Sequence, residues 1–169
     1  DNPVSFLSVD SSFDHCLELN SLSKSHNMAG WRVGMLVGSK NNIDTILKVK
    51  SNIDSGMYYG IQKGAIEALG LNSSWYMSMN KIYKERREIV YKICDKLGLT
   101  YDKNSTGMFV WAKINSLDTS SIEFVDNLLY NKEIFITPGS IFGTNGEGYV
   151  RLSLCLSKDK LNEALNKLL

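Results

Sequence analysis

The sequence predicts an α/β protein in two parts, because short strand patterns and helical patterns interleave from one end to the other. In the first part, two strand patterns flank a polar segment, and two helices follow. In the second part, a long helix leads into strands and helices joined by short loops. This order predicts an α+β unit with a short sheet covered by helices on one side. We therefore expect two domains, residues 1–72 and 73–169.

The strands of the first part are predicted from alternation. Residues 16–23 (CLELNSLS) alternate, and residues 32–37 (RVGMLV) form a second strand pattern closed by Gly38. Between them, residues 24–30 are polar and favour turns. Each of the next two helices places its apolar residues on one face: Ile43, Ile46, Leu47 and Ile53 in the first, and Ile61, Ala65, Ala68 and Leu69 in the second.

The third helix is predicted to be long. It runs from about Ser73 to Leu97, and Gly98 provides a C-terminal stop. At 1.5 Å per residue it would measure roughly 38 Å. Because a helix of that length commonly crosses between two bodies, we place the domain boundary on it. Its apolar stripe consists of Trp75, Met79, Ile82, Ile89, Ile93 and Leu97.

Three short strands and two helices are predicted after the long helix. The strand patterns are residues 108–114, 134–137 and 149–155, and the last of these places Val150, Leu152 and Leu154 on one face. Ser120 and Glu123 have the spacing of a capping box. That helix should turn Ile122, Val125 and Leu129 inward. Ser157 should cap a final helix that carries Leu161, Ala164, Leu165 and Leu168.

Composition excludes several classes of function. The 169 residues are 43% hydrophobic and 22% charged, which is ordinary for a globular protein. The net charge is +1, so the composition does not indicate binding to nucleic acid or to an anionic membrane. No apolar run reaches the roughly 18 residues of a membrane span. Three dispersed cysteines predict neither a disulfide framework nor a metal site. We expect free, buried thiols in a cytoplasmic protein.

The chemistry is concentrated in residues 21–34 (SLSKSHNMAGWRVG). Lys24 follows a strand in a stretch of small polar residues, and Arg32 comes eight residues later. Hydroxyls and a guanidinium suit a phosphate, and a lysine amine can condense with an aldehyde. Pyridoxal 5'-phosphate carries both groups on one ring. A lone loop lysine would be read as solvated, but the whole string favours this cofactor.

The same segment resembles the lysine motif of the fold-type-I PLP-dependent aminotransferases, class I/II family. That motif reads serine, any residue, a small residue, lysine, seven residues, arginine, any residue, glycine. The resemblance implies that Lys24 is the catalytic residue that holds the cofactor covalently. It also implies that Ser21, Ser23 and Arg32 bind the phosphate, and that Gly34 lets the following strand pack closely.

A second match lies near the end of the chain. Residues 137–143 (TPGSIFG), followed by residues 148–153 (GYVRLS), are similar to the C-terminal signature of that family. In the family, the arginine of the last strand binds the α-carboxylate of the substrate. The resemblance therefore implies that Arg151 is the substrate-binding residue. A bidentate pair with a carboxylate would fix the orientation of the substrate.

Neighbouring residues with reactive or aromatic side chains are not assigned to the site. His26 lies two residues after Lys24, but the family pattern does not require a histidine there, so we expect it to be a bystander. Residues 55–61 (SGMYYGI) resemble a segment that reaches the neighbouring subunit in the family. We expect Tyr58 and Tyr59 to be core or interface aromatics.

The resemblance runs from about Phe6 to Leu169. It implies that residues 1–72 are the C-terminal part of the PLP-binding large domain and that residues 73–169 are the small domain. The implied reaction is ping-pong transfer of an amino group from an amino acid to a 2-oxo acid, by a homodimer active in amino acid metabolism and biosynthesis. The chain starts at Asp1 without a methionine, and the other cofactor contacts of the family would precede it. We therefore expect a C-terminal fragment that binds the cofactor weakly and is inactive alone.

Other readings remain open at this point. The same motif serves PLP-dependent carbon–sulfur lyases. Aminotransferase-like domains also sense effectors in transcriptional regulators, where a basic DNA-binding segment would precede this chain. A third possibility is an interaction unit that kept only the small domain, although Ser21, Lys24 and Arg32 argue against it. The sequence does not predict the side chain of the substrate.

Overall fold

The computed structural model describes residues 4–9, 13–116 and 118–169. The chain divides into two compact units, Asp1–Asn72 and Ser73–Leu169. The first unit contains β1 (Leu17–Ser21), α1 (Leu22–Ser25), β2 (Gly34–Gly38), α2 (Lys40–Ile53) and α3 (Tyr59–Leu69). The second contains α4 (Ser73–Lys96), β3 (Thr100–Tyr101), β4 (Phe109–Lys113), α5 (Ser121–Lys132), β5 (Thr137–Pro138), β6 (Tyr149–Ser153) and α6 (Lys158–Asn166).

The first unit is built around an antiparallel pair of strands. β1 and β2 pair from Leu17 opposite Gly38 to Ser21 opposite Gly34. The predicted strand at 16–23 is too long, because the Ser21 hydroxyl accepts a hydrogen bond from the Ser23 N–H and starts the helical turn α1. A small core packs beneath this turn; it consists of Leu22, Met28, Val33 and Ala68, with Ile61 and Ala65 against it.

The two predicted helices of the first unit are observed as α2 and α3, but they bury fewer apolar residues than expected. Leu69 was predicted to face inward, yet it is 52% exposed, because α3 ends there and only Ala68 of its last turn joins the core. In α2, Leu47 and Ile53 are also exposed. The apolar face of α2 therefore exists as a pattern but is not covered within this unit.

The second unit is a four-stranded antiparallel sheet in the order β3-β4-β6-β5. One face is fully buried: Val110 and Ala112 of β4 and Val150 and Leu152 of β6 belong to the core formed with α4, α5 and α6. The alternate residues point to the other face, where Trp111 is 39% exposed. The expected sheet with helices on one side is therefore observed.

The ends of the helices in the second unit follow local rules. After α4, Gly98 adopts a positive φ of 65°, and the Leu99 N–H donates to the Cys94 carbonyl at 2.9 Å, which is a Schellman C-cap. At the start of α5, Ser120 and Glu123 form the predicted capping box. Both signals were readable because they depend only on neighbouring residues.

Some predicted positions in the second unit are wrong. Ile122 is 52% exposed, because the inward face of α5 is formed by Ser121, Val125 and Leu128. The predicted strand at 134–137 is reduced to Thr137–Pro138. Ile134 and Ile136 are still buried, so their alternation reports burial of an extended segment rather than pairing.

The described residues contain neither a metal-binding cluster nor a membrane-spanning helix, and their cysteines are free. They contain no group of three or more His, Cys, Asp or Glu side chains able to hold a metal ion. None of their helices is both long and apolar enough to cross a bilayer. Cys16 and Cys94 are buried free thiols, but Cys155 is exposed, so the expectation of buried thiols is wrong for it. Burial raises the pKa of the Cys94 thiol to about 12, with a smaller contribution from Asp95.

Candidate functional site

The lysine segment is the connection between two paired strands. Because Ser21 lies opposite Gly34 in the ladder, residues 22–33 leave the sheet and return to it at the same end. Lys24 lies three residues after Ser21, and Arg32 lies two residues before Gly34. Ser21, Ser23, Lys24 and Arg32 therefore all lie at or between the paired ends of β1 and β2, within twelve positions of sequence.

Hydrogen bonds fix the first turn of this connection. The Ser21 Oγ accepts from the Ser23 N–H at 3.2 Å, and the Ser25 hydroxyl donates to the Ser21 carbonyl at 3.2 Å. The Leu22 N–H donates to the Val33 carbonyl at 3.2 Å, which continues the pairing one step beyond the strands. Since Leu22 and Val33 are both buried, the two ends of the connection are anchored in the core.

The cationic groups of the connection remain available for a ligand. Lys24 is exposed, and within residues 4–9, 13–116 and 118–169 its ammonium makes no hydrogen bond or ion pair. Arg32 has a left-handed backbone conformation with a φ of 54°. Its guanidinium donates one hydrogen bond, from Nη1 to the Ala29 carbonyl at 3.0 Å. A guanidinium carries five N–H donors, so most of its capacity is unused.

Gly34 is required by the closeness of the strands. A Cβ at this position would lie 2.8 Å from the Asn20 carbonyl oxygen of β1, which is closer than real Cβ contacts allow. By contrast, a Cβ at Gly30 would meet nothing within 4 Å. The glycine of the motif therefore lets β2 approach β1, and it keeps Ser21 and Arg32 at one end of the pair.

The neighbouring histidine has a structural partner. His26 is 9% exposed, and its Nδ1 lies 2.8 Å from the Ser25 Oγ. The expectation that His26 is a bystander stays a prediction. Tyr58 and Tyr59 were expected in a core or an interface, and both are exposed in this unit. They are therefore not core residues of the described chain.

In the second unit, Arg151 lies in the middle of β6. It is opposite Trp111 of β4 and Thr137 of β5. Its guanidinium carbon lies 4.2 Å from the ring centroid of Phe109 and 4.4 Å from that of Phe142. Across the described residues no carboxylate pairs with Arg151 and no hydrogen bond occupies its guanidinium. The charge is therefore held by aromatic rings and is open to an anion.

An aromatic layer surrounds this arginine. Trp111 stacks on Tyr149 with centroids 5.6 Å apart and an interplanar angle of 15°. It also meets Phe142 edge-on, with centroids 5.7 Å apart. Sequence reasoning named Arg151 but missed these rings. The alternation of Phe109 and Trp111 with buried residues could have placed the rings on the face that carries Arg151.

The loop that carries Phe142 is held at two points. Gly139 and Gly146 pack backbone to backbone, since a Cβ at Gly139 would lie 2.2 Å from the Gly146 carbonyl oxygen. Glu147 accepts hydrogen bonds from the Ser121 N–H at 2.7 Å and from the Ser121 hydroxyl at 3.1 Å. Backbone hydrogen bonds from Ser121 and Gly148 hold the pKa of the Glu147 carboxyl below its usual value.

Comparison with known proteins identifies the class that these features define. The profile of the class I and II aminotransferases matches residues 3–168. The chain therefore belongs to the class I and II aminotransferase family. Members of this family depend on pyridoxal 5'-phosphate, and Lys24, Ser21, Ser23 and Arg32 offer the amine and the phosphate donors that this cofactor needs.

Particular relatives narrow the comparison. The chain is 39% identical over 168 residues to an LL-diaminopimelate aminotransferase of Nitratidesulfovibrio vulgaris and 38% identical to that of Aquifex aeolicus, in both cases over 99% of this chain and 43% of the relative. The substrate-bound BacF structure from Bacillus subtilis superimposes with a TM-score of 0.87 at 34% identity, over 99% of this chain and 43% of that one. The chain thus spans about 43% of the length of the curated relatives it matches.

Proposed function

We propose that the whole protein is a PLP-dependent aminotransferase that moves an amino group from an amino acid to a 2-oxo acid. The observation that carries this proposal is the connection between β1 and β2. Ser21, Ser23, Lys24 and Arg32 lie along it in the order that the family motif requires. Among the described residues, the Lys24 ammonium has no partner and the Arg32 guanidinium donates a single hydrogen bond. Family membership over residues 3–168 supports the same reaction.

The residues of the first unit would hold the cofactor and move a proton. When bound, the cofactor supplies an aldehyde that accepts the amino group and a ring that withdraws electrons from the substrate Cα. Ser21, Ser23 and Arg32 would bind its phosphate, the serines as neutral donors and Arg32 as a planar cation. Lys24 Nζ would hold the cofactor at its aldehyde carbon. The same amine would then move the proton of the substrate Cα.

Arg151 would bind the α-carboxylate of the substrate. Its guanidinium is charged, lies on the helix-free face of the sheet and has no competing carboxylate among the described residues. A charge-assisted hydrogen bond contributes about 1.5–3 kcal/mol, so a bidentate pair is enough to orient a small acid. The same group would serve both the amino acid and the 2-oxo acid, since both carry this carboxylate.

The proposal also covers the domain organisation, the oligomeric state and the location of the whole protein. Residues 1–72 would complete the large, PLP-binding domain of the whole protein, and residues 73–169 would be its small domain. A homodimer is supported by the apolar side chains left exposed in the first unit, such as Leu47, Ile53 and Tyr58. The free cysteines are what a cytoplasmic location would require. No nucleic acid or membrane is proposed as a partner.

Covalent trapping tests the assignment of Lys24. The protein is mixed with pyridoxal phosphate and reduced with borohydride, and the labelled peptide is found by mass spectrometry. We expect labelling of Lys24 that is lost in Lys24→Ala and kept in Lys48→Ala, which changes an exposed lysine of α2. Label spread evenly over surface lysines would contradict the assignment.

Product analysis tests the reaction. The whole protein is supplied with LL-diaminopimelate and with aromatic amino acids. These substrates are chosen because the chain is similar to an LL-diaminopimelate aminotransferase and to an aromatic aminotransferase. We expect a 2-oxo acid from the donor and an amino acid from the acceptor in equal amounts. Release of ammonium without formation of an amino acid from the acceptor would indicate elimination and reject the proposal. The 169-residue chain alone is expected to show no turnover.

A further inference from the structure

Arg151 has an aromatic ring close to its guanidinium on each of two different elements. Phe109 belongs to β4, where it is paired with Ser153, and it is therefore a diagonal neighbour of Arg151 on the same face of the sheet. Phe142 belongs to the short helical turn after β5. The distances from the guanidinium carbon to the two centroids are nearly equal, 4.2 and 4.4 Å.

We propose that Phe109 and Phe142 are positioning residues that hold the Arg151 guanidinium in a fixed orientation before a substrate carboxylate binds to it. This inference rests on the proposed function, because it names the residues that prepare the proposed substrate-binding group. It concerns the two rings and not Arg151 itself.

The physical reason is the geometry of a guanidinium. Its N–H donors lie in one plane, and a bidentate carboxylate binds in that plane. An aromatic ring attracts a cation that lies over it, and the Arg151 guanidinium carbon lies over the rings of both Phe109 and Phe142. An arginine side chain otherwise samples many rotamers, and ordering it on binding costs conformational entropy. Two rings already in place reduce that cost before the substrate arrives.

The loop that carries Phe142 is constrained enough to position a ring. The contact between Gly139 and Gly146 leaves no space for a Cβ, and Glu147 ties the far end of the loop to the start of α5. Phe142 additionally meets Trp111 edge-on. The ring is therefore supported by the sheet and by its own loop, although it is 49% exposed.

The first test reads the orientation of Arg151 directly and needs no cofactor. In the full chain, the Arg151 Nε–Hε resonance is assigned by its absence in Arg151→Lys. Rings near the guanidinium should shift this resonance from the range of exposed arginines. We expect Phe109→Leu and Phe142→Leu each to remove part of the shift, and Phe142→Tyr to keep it. The matched control is Phe135→Leu, which removes an exposed phenyl ring of the same unit.

The second test reads binding. In the whole protein, Phe142→Leu should raise KM for both the amino acid and the 2-oxo acid by about three- to tenfold. Reaction with a primary amine that lacks the carboxylate should be unchanged, which a general folding defect would not produce. Phe142→Tyr should restore the original KM. Titration of the full chain with pyruvate should show the same loss of affinity at the Arg151 resonance.

Failure of this inference can be distinguished from failure of the proposed function. An unshifted Arg151 resonance in the original chain, or unchanged KM and pyruvate affinity in Phe142→Leu, would overturn the positioning role even if Lys24 is labelled by the cofactor. If Lys24 is not labelled, the aminotransferase proposal fails. The resonance and the pyruvate titration still decide whether the rings prepare Arg151 for a carboxylate.

Discussion

Gly34→Ala is expected to separate the two ends of the connection between β1 and β2, because the added Cβ would lie 2.8 Å from the Asn20 carbonyl oxygen. An ordinary contact begins at 3.4 Å, so the strands must open by about 0.6 Å, and backbone cannot rotate away as a flexible side chain would. Overpacking of this kind costs roughly 1–3 kcal/mol. Replacing a glycine also stabilises the folded state by about 0.4–1 kcal/mol, because it lowers the conformational entropy of the unfolded chain. This effect is smaller than the cost of the clash, so we expect Gly34→Ala to be destabilising.

The matched control for this substitution lies in the same connection. Gly30→Ala meets nothing within 4 Å, and Gly30 has no positive φ, so we expect it to be neutral or stabilising by up to about 1 kcal/mol. Hydrogen exchange of residues 17–38 measures the local effect, and borohydride trapping at Lys24 measures cofactor binding. Faster exchange and weaker labelling are expected in Gly34→Ala alone. Equal behaviour of the two variants would refute the close-approach argument.

Three further predictions concern the second unit. Leu154→Ala should lower the free energy of unfolding, measured by urea titration, by roughly 2–5 kcal/mol, because Leu154 is fully buried. The control Leu156→Ala changes an exposed leucine and should alter the same free energy by about 0.5 kcal/mol or less. Ser120→Ala removes the N-cap of α5 and should cost about 1 kcal/mol in the same assay; no change would mean that the capping box contributes little. Hydrogen bonds from Ser121 lower the pKa of the Glu147 carboxyl in the folded state. The contribution of Glu147 to the free energy of unfolding is therefore complete above the carboxyl pKa of the unfolded chain, and it is lost as the pH falls through the lower pKa of the folded chain. Thermal unfolding should therefore be less sensitive to acid below about pH 4.5 in Glu147→Gln than in the original chain, and an identical pH profile would contradict this assignment.

Local signals predicted well what depends on neighbouring residues. The capping box at Ser120, the stop at Gly98 and the alternation of β6 were all readable, because each is decided within a few positions. Alternation overestimated the strand at 134–137, since pairing there also needs a partner strand beside every residue. The inward face of α5 was misplaced at Ile122, because which side of a helix is covered depends on what packs against it.

The candidate site divides in the same way. The lysine motif was identified from residues 21–34, because the spacing of small residues, lysine, arginine and glycine is specific in itself. The rings around Arg151 were not identified, since Phe142 comes from a loop and Phe109 from a different strand. The hydrogen bond from the Ser121 N–H to Glu147, which holds the loop that carries Phe142, was not predicted from the sequence either.

The sequence by itself determined the family, and it predicted Lys24 and Arg151 as site residues, because covalent and charged chemistry requires particular side chains at particular spacings. Tertiary structure decided how those groups are prepared. It set β2 so close to β1 that only glycine fits at position 34, and it assembled the rings beside Arg151 from distant segments. The reason is physical: the type of a side chain is written in the chain, whereas distances between groups depend on packing of elements that are far apart in sequence.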